Sequence, residues 1–229
     1  MPTTSRARAG AAPARRDPIR LLKPLLFAAA IGPFVWLVHA GFNAGLGTDP
    51  VETIASVTGT SALVILFATL AVTPIRRMTG WNPLIRVRRM LGLFAFFYAV
   101  LHAVDYFVFD QSLSVPDIVE DVIKHPWVAL GFGALVMLLA LAVTSTNGWI
   151  RRLGGKRWNR LHRLIYPAAI AASTHYFLAV KRDVSVPLAF AAVLVVLLGA
   201  RVAVRTRSAG PARARRRDPP PLPEVSPGQ

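Results

Sequence analysis

The stretch MLGLFAFFYAVLHAVDYFVF, Met90–Phe109, decides the fold. A helix needs about 20 mostly apolar residues to cross a hydrocarbon core of roughly 30 Å. This stretch has that length, and it carries His102 and Asp105 within it. Ionisable groups at membrane depth are costly, so each is a candidate for function. Five further stretches share the length and the character: Pro24–Phe42, Ile54–Thr73, Trp127–Thr144, Leu161–Val180 and Val184–Ala203. Leu161–Val180 scores worst, because it holds His162, Arg163 and His175, but its charges gather at one end. Pro24–Phe42 follows a basic segment, yet it exceeds the usual signal core of about 7–15 residues and reads as a retained span. The expectation is an all-α integral membrane protein with six transmembrane helices.

Composition points the same way. The chain has 229 residues, and 27 Lys and Arg against 11 Asp and Glu give a net charge of +16. Only 17% of residues are charged and 54% are apolar, which excludes a disordered polycation. The basic residues come in bursts between apolar runs, unlike the stripe of a soluble nucleic-acid binder, so no nucleic-acid partner is expected. The absence of cysteine excludes disulfides, thiolate zinc sites, iron–sulfur clusters and cysteine nucleophiles. If six helices alternate, 24 of the 27 basic residues fall on one side, in residues 1–23, 74–89, 145–163 and 201 onward. Most of the acid lies opposite: Asp49, Glu52, Asp110, Asp117, Glu120, Asp121 and Asp183. The positive-inside rule then places both termini in the cytoplasm. Residues 1–20 read as a disordered basic segment, 21–205 as the membrane domain and 206–229 as a disordered Arg/Pro-rich tail. The basic ends suit attraction to anionic lipid headgroups. In the outer loop 111–126, Ile118, Val119, Val122 and Ile123 fit a short helix lying on the membrane surface.

Depth sorts the histidines. Counted from the cytoplasmic side at 1.5 Å per residue, His102 lies about 18 Å along the third span and His175 about 21 Å along the fifth. Two imidazoles at matched depth on two helices are what bis-histidine haem ligation needs. A zinc ion would want further ligands, and a lone membrane histidine often only bonds a neighbouring helix. His162 sits at the inner edge, roughly 20 Å from His175, a separation suited to two stacked cofactors. Its counterpart on the third span is Arg88, a good donor to a haem propionate or a flavin phosphate. Arg89, Arg160, Arg163 and Trp158 lie beside it in the expected topology. His39 and His125 are not expected to be ligands, and Asp105 reads as a solvated or lysine-paired acid near the outer surface. No G-x-G-x-x-G follows a strand, no phosphate-binding loop is present, and no extramembrane segment could hold a nucleotide domain. Electrons would come from a quinol or a separate flavoprotein.

Several short motifs share one order and spacing: Gly45-Leu46-Gly47-Thr48-Asp49-Pro50-Val51-Glu52, Thr58-Gly59, Thr73-Pro74 and Arg86-Val87-Arg88-Arg89-Met90-Leu91-Gly92. Leu101-His102, Tyr106, Thr144-Ser145, Leu153-Gly154, Trp158, Leu161-His162, Tyr166 and His175-Tyr176 complete them. From about Leu21 to Arg205 the chain resembles the MsrQ (YedZ) family of haem-binding membrane subunits, and more distantly the ferric reductase and NADPH oxidase transmembrane domain. The resemblance implies b-type haem held by His102, His162 and His175, with FMN as a further cofactor; the spacing of His162 from His175 leaves room for a second haem. Beside His162, Arg88, Arg89, Trp158 and Arg163 are expected as cofactor contacts. The resemblance also implies a bacterial inner membrane, electrons from the quinone pool, and delivery to a periplasmic molybdenum-containing methionine-sulfoxide reductase, MsrP. The wider superfamily has two histidines on the third helix, where this chain has Arg88 near the inner place. The competing functions are a self-contained cytochrome-b-type ferric or quinone reductase and a proton-coupled transporter. The transporter lacks support, since neither broken helices nor repeats are visible.

Overall fold

The computed structural model of the chain describes residues 19–180 and 183–214. Expectations for residues 1–18 and 215–229 lie outside these. All regular structure among the described residues is helical. Helix α1 spans Ile19–Phe42, α2 Pro50–Thr79, α3 Ile85–Asp105, α4 Val115–Lys124, α5 Pro126–Val143, α6 Asn147–Leu161, α7 Ile165–Ala179 and α8 Ser185–Ala214.

Local chemistry sets the ends. Asp49 caps α2 by accepting from the Glu52 N–H at 2.9 Å, and Pro50 follows at the first helical position, where no N–H is needed. Gly80 closes α2 with φ 70°, a left-handed value that glycine takes without strain. The Ser185 hydroxyl and N–H both donate to the Asp183 carboxyl at the start of α8, holding it below the usual carboxylate range. The outer loop does form the expected amphipathic helix: α4 leaves Val119 and Ile123 exposed along one side.

Among the described residues, five helical stretches are long and apolar enough to cross a membrane: Ile19–Phe42, Pro50–Thr79, Asn82–Asp110, Pro126–Val143 and Ser185–Ala203. The expected sixth, Leu161–Val180, is not among them. A 3-10 turn at His162–Leu164 interrupts it, and α7 keeps 15 residues, about 22 Å of helix. Two regions are more helical than the sequence suggested. The basic segment after α5 forms α6, broken at Gly154 (φ 71°, ψ 152°). Helix α8 continues past residue 205 to Ala214.

Packing is organised in pairs: α2 lies mainly on α3, and α5 mainly on α7. The core between them holds Leu66, Leu70, Val87, Ala95, Tyr98, Ala168 and Ala169. Tyr98 ties α1 to this core. Its hydroxyl donates to Ala30 O at 2.7 Å and accepts from the Phe34 N–H at 3.0 Å, bridging two groups that one helical turn would join directly.

Candidate functional site

His102 of α3 and His175 of α7 meet between the two helix pairs, with ring centroids 6.1 Å apart and ring planes at 74°. Each imidazole is held by the partner helix of its own pair. His102 Nδ1 donates to Ala55 O of α2 at 3.1 Å, with Thr58 Oγ1 at 3.4 Å. His175 Nδ1 donates to Trp127 O of α5 at 2.7 Å. Carbonyl oxygens cannot donate, so both rings carry their proton on Nδ1 and keep the Nε2 lone pair free. A ligating histidine is oriented in this way by a bond from its other nitrogen.

The helices admit these rings through glycines. Gly59 follows Ala55 by one helical turn, and a Cβ there would stand 3.1 Å from His102 Cε1. Gly131 follows Trp127 by the same step, and a Cβ there would stand 3.0 Å from His175 Nδ1. In both pairs a carbonyl accepts the imidazole N–H and a glycine one turn on leaves room for the ring. The sequence signal was present in Ala55-x-x-x-Gly59 and Trp127-x-x-x-Gly131. Without knowledge of which helices pair, it could not be read.

The donor set fits an axially ligated macrocycle. Two metal–nitrogen bonds of about 2 Å with the half-widths of the rings bring opposed imidazole centroids to roughly 6 Å. Among the described residues no group of three His, Cys, Asp or Glu gathers to hold a bare ion. A metal held by this pair must bring its own equatorial ligands.

At the other end of the bundle, His162 stacks on Trp158, with centroids 3.9 Å apart and planes at 28°. Its Nε2 lies 3.2 Å from Thr144 Oγ1, and Trp158 Nε1 donates to Thr144 O at 2.8 Å. Arg88 and Arg89 both act electrostatically on His162. Arg88 is half-buried, whereas exposed Arg89 donates to Asn147 Oδ1 at 2.9 Å. Arg163 is exposed, and no hydrogen bond joins it to His162 or Trp158 among the described residues. Two residues expected only as topology charges belong here instead. Arg76 of α2 and Arg201 of α8 share their fields with Arg88, and Arg201 lies over the Tyr166 ring at 4.9 Å. Arg76 Nε and Arg201 Nη1 are buried without a hydrogen-bond partner among the described residues. Buried guanidinium donors left open in this way suit an anionic group.

The other expected residues are placed apart. His39 is exposed and contacts Asn43, while His125 binds Asp121 at 2.5 Å in the outer loop. Asp105 corrects the sequence reading. It is neither solvated nor paired with lysine: it is 3% exposed, and neither carboxyl oxygen has a hydrogen-bond partner among the described residues. Its place on the inward side of α3, against α1 and α2, buries it despite its nearness to the helix end.

Comparison with known proteins now has a geometry to refer to. Residues 55–173 match the family described as ferric reductase like transmembrane component, a range that holds His102 and His162 and ends two residues before His175. A protein from Herminiimonas arsenicoxydans, "Protein-methionine-sulfoxide reductase heme-binding subunit MsrQ", is 47% identical over 80% of this chain and 85% of its own length. The chain belongs to the MsrQ family. Further MsrQ proteins of the same description agree along nearly their whole length. That of Rhodospirillum rubrum is 45% identical over 85% of this chain and 95% of its own. That of Bordetella pertussis is 44% identical over 89% and 99%. As an MsrQ-family chain with a ferric-reductase-like domain, the protein is a multi-pass membrane protein of an electron-transfer class.

Proposed function

We propose that the chain is the membrane electron-transfer subunit of a methionine-sulfoxide reductase system. It takes electrons from the quinone pool or a cytoplasmic flavoprotein and delivers them, through b-type haem, to a periplasmic molybdenum-containing catalytic subunit, MsrP, that repairs oxidised envelope proteins. The observation that carries this reading is the pair His102 and His175, with ring centroids 6.1 Å apart, each bonded through Nδ1 to a neighbouring helix and each with Nε2 left open. Bound haem supplies one-electron transfer. The protein's part is to orient the two imidazoles that would hold it, through Ala55 O and Trp127 O.

The inner cluster serves the second cofactor. Arg88, Arg76 and Arg201 suit the propionates of a second haem or the phosphate of FMN, with His162 and Trp158 against it and Arg89 and Arg163 at its rim. The short α7, with the turn at His162–Leu164 and the end of α6, makes the sixth crossing. The segregation of basic residues supports that count and a cytoplasmic place for both termini, with the chain in a bacterial inner membrane.

Co-reconstitution with the catalytic subunit tests the function. Reduced chain should show a b-type absorption band that reoxidises when the periplasmic subunit and a methionine-sulfoxide substrate are added. Reoxidation by a ferric chelate but not by that subunit would favour a self-contained reductase instead.

A further inference from the structure

A cavity of about 400 Å³ lies between α1, α2 and α3, on the side of the bundle away from α7. Its wall is apolar, including Phe34, Leu37, Ile54 and Leu101, and carries two polar side chains, Thr58 and Asp105. The Thr58 hydroxyl is already used, donating to Ile54 O at 2.7 Å. Asp105 has no partner at either oxygen and is 3% exposed. A buried carboxyl without a donor is costly, and natural structures rarely leave one so. A ligand hydroxyl would supply that donor. Such a ligand must have an apolar body to fill this wall and reach it through lipid, and it must present a hydroxyl to Asp105.

The cavity also touches the candidate redox site. Thr58, on its wall, has Oγ1 3.4 Å from His102 Nδ1, and Asp105 follows His102 by nearly one turn of α3. A ligand seated there lies against the helix faces that hold one axial imidazole. We propose that this cavity binds the head of a membrane quinol and that Asp105 accepts its hydroxyl proton. The proposal rests on the quinone-pool reading above and gives that donor a place. In leaving as the quinone, a quinol loses two protons and two electrons. Asp105 takes the protons in turn and passes them to the nearer aqueous phase; the two electrons would leave one at a time by way of the haem that His102 and His175 would hold, each passed on to the periplasmic subunit before the next.

The test uses the full haem-loaded chain in detergent with decylubiquinol as the reductant. Asp105→Asn should keep wild-type haem content and dithionite reduction, while reduction by decylubiquinol slows about 100-fold, the scale of a lost general base. Val38→Trp, which narrows the cavity from α1, should act in the same direction without touching the carboxyl. As a readout independent of turnover, a photoactivated azido-quinone should label wild-type α1 and α3 peptides around the cavity, and Val38→Trp should abolish that label. If decylubiquinol reduces wild type and both variants equally fast, or labels elsewhere, the cavity is not the quinol site. If Asp105→Asn loses haem, the carboxyl belongs to the haem pocket and the proposal fails. If wild type itself is not reduced by decylubiquinol, the quinone-pool reading fails first.

Discussion

Gly131 lies so close to His175 that a Cβ on it would stand 3.0 Å from the ring nitrogen Nδ1. Two residues further along α5, a Cβ on Gly133 would meet nothing within 4 Å. Chemically alike substitutions at these two glycines should therefore part company. Gly131→Val pushes the imidazole off Trp127 O and should weaken haem binding by about 10–100-fold, the usual effect of losing an outer-shell partner. Gly133→Val should bind haem as wild type does. Haem titration of both variants, followed by absorption, checks this.

The mirror relation on the other pair gives a second prediction. Gly59→Val crowds His102 Cε1 and should lower haem affinity in the same way. Thr58→Val removes only a hydroxyl at 3.4 Å from Nδ1, while the bond to Ala55 O stays. Its haem affinity should fall much less than that of Gly59→Val. Equal losses in the two would make the hydroxyl, not the glycine space, the feature that orients His102.

Much of this was legible in the sequence, and the limits have physical causes. Apolar length alone located α1, α2, α3, α5 and α8, because lipid forces a simple composition on a spanning helix. Depth counting brought His102 and His175 together for the same reason. Helix α7 came out shorter than Leu161–Val180, since hydropathy cannot register the 3-10 turn that begins at His162. Asp105 was misread because its nearness to the helix end suggested water, whereas its burial depends on which face of α3 meets α1. Arg76 and Arg201 looked like topology charges for a related reason. Their meeting beside Arg88 depends on how α2, α3 and α8 pack, which linear position does not show.

The charge pattern yields a topology prediction. Reporter fusions in the Gly45 and Ser114 loops should read outside, and fusions at Gly80 and Gly155 inside. An inside signal at Ser114 would remove the matched depth of His102 and His175.

The inner cluster can be tested apart from the outer pair. His162→Ala and Arg88→Ala should each slow haem reduction by a cytoplasmic flavoprotein donor. The haem at His102–His175 should remain bound and reducible by dithionite in both. Unchanged rates in both would leave the inner arginines as topology charges only.

The most direct measurement is haem content and the reduced spectrum of four purified alanine variants. His102→Ala and His175→Ala each remove one axial nitrogen from an apolar site where water is a poor substitute, and each should lose the b-type haem that the pair holds. His39→Ala and His125→Ala change residues that face solvent or the outer loop and should keep the full wild-type spectrum. Retention of that haem by either member of the pair, or its loss from His39→Ala, would contradict the ligand assignment on which the account rests.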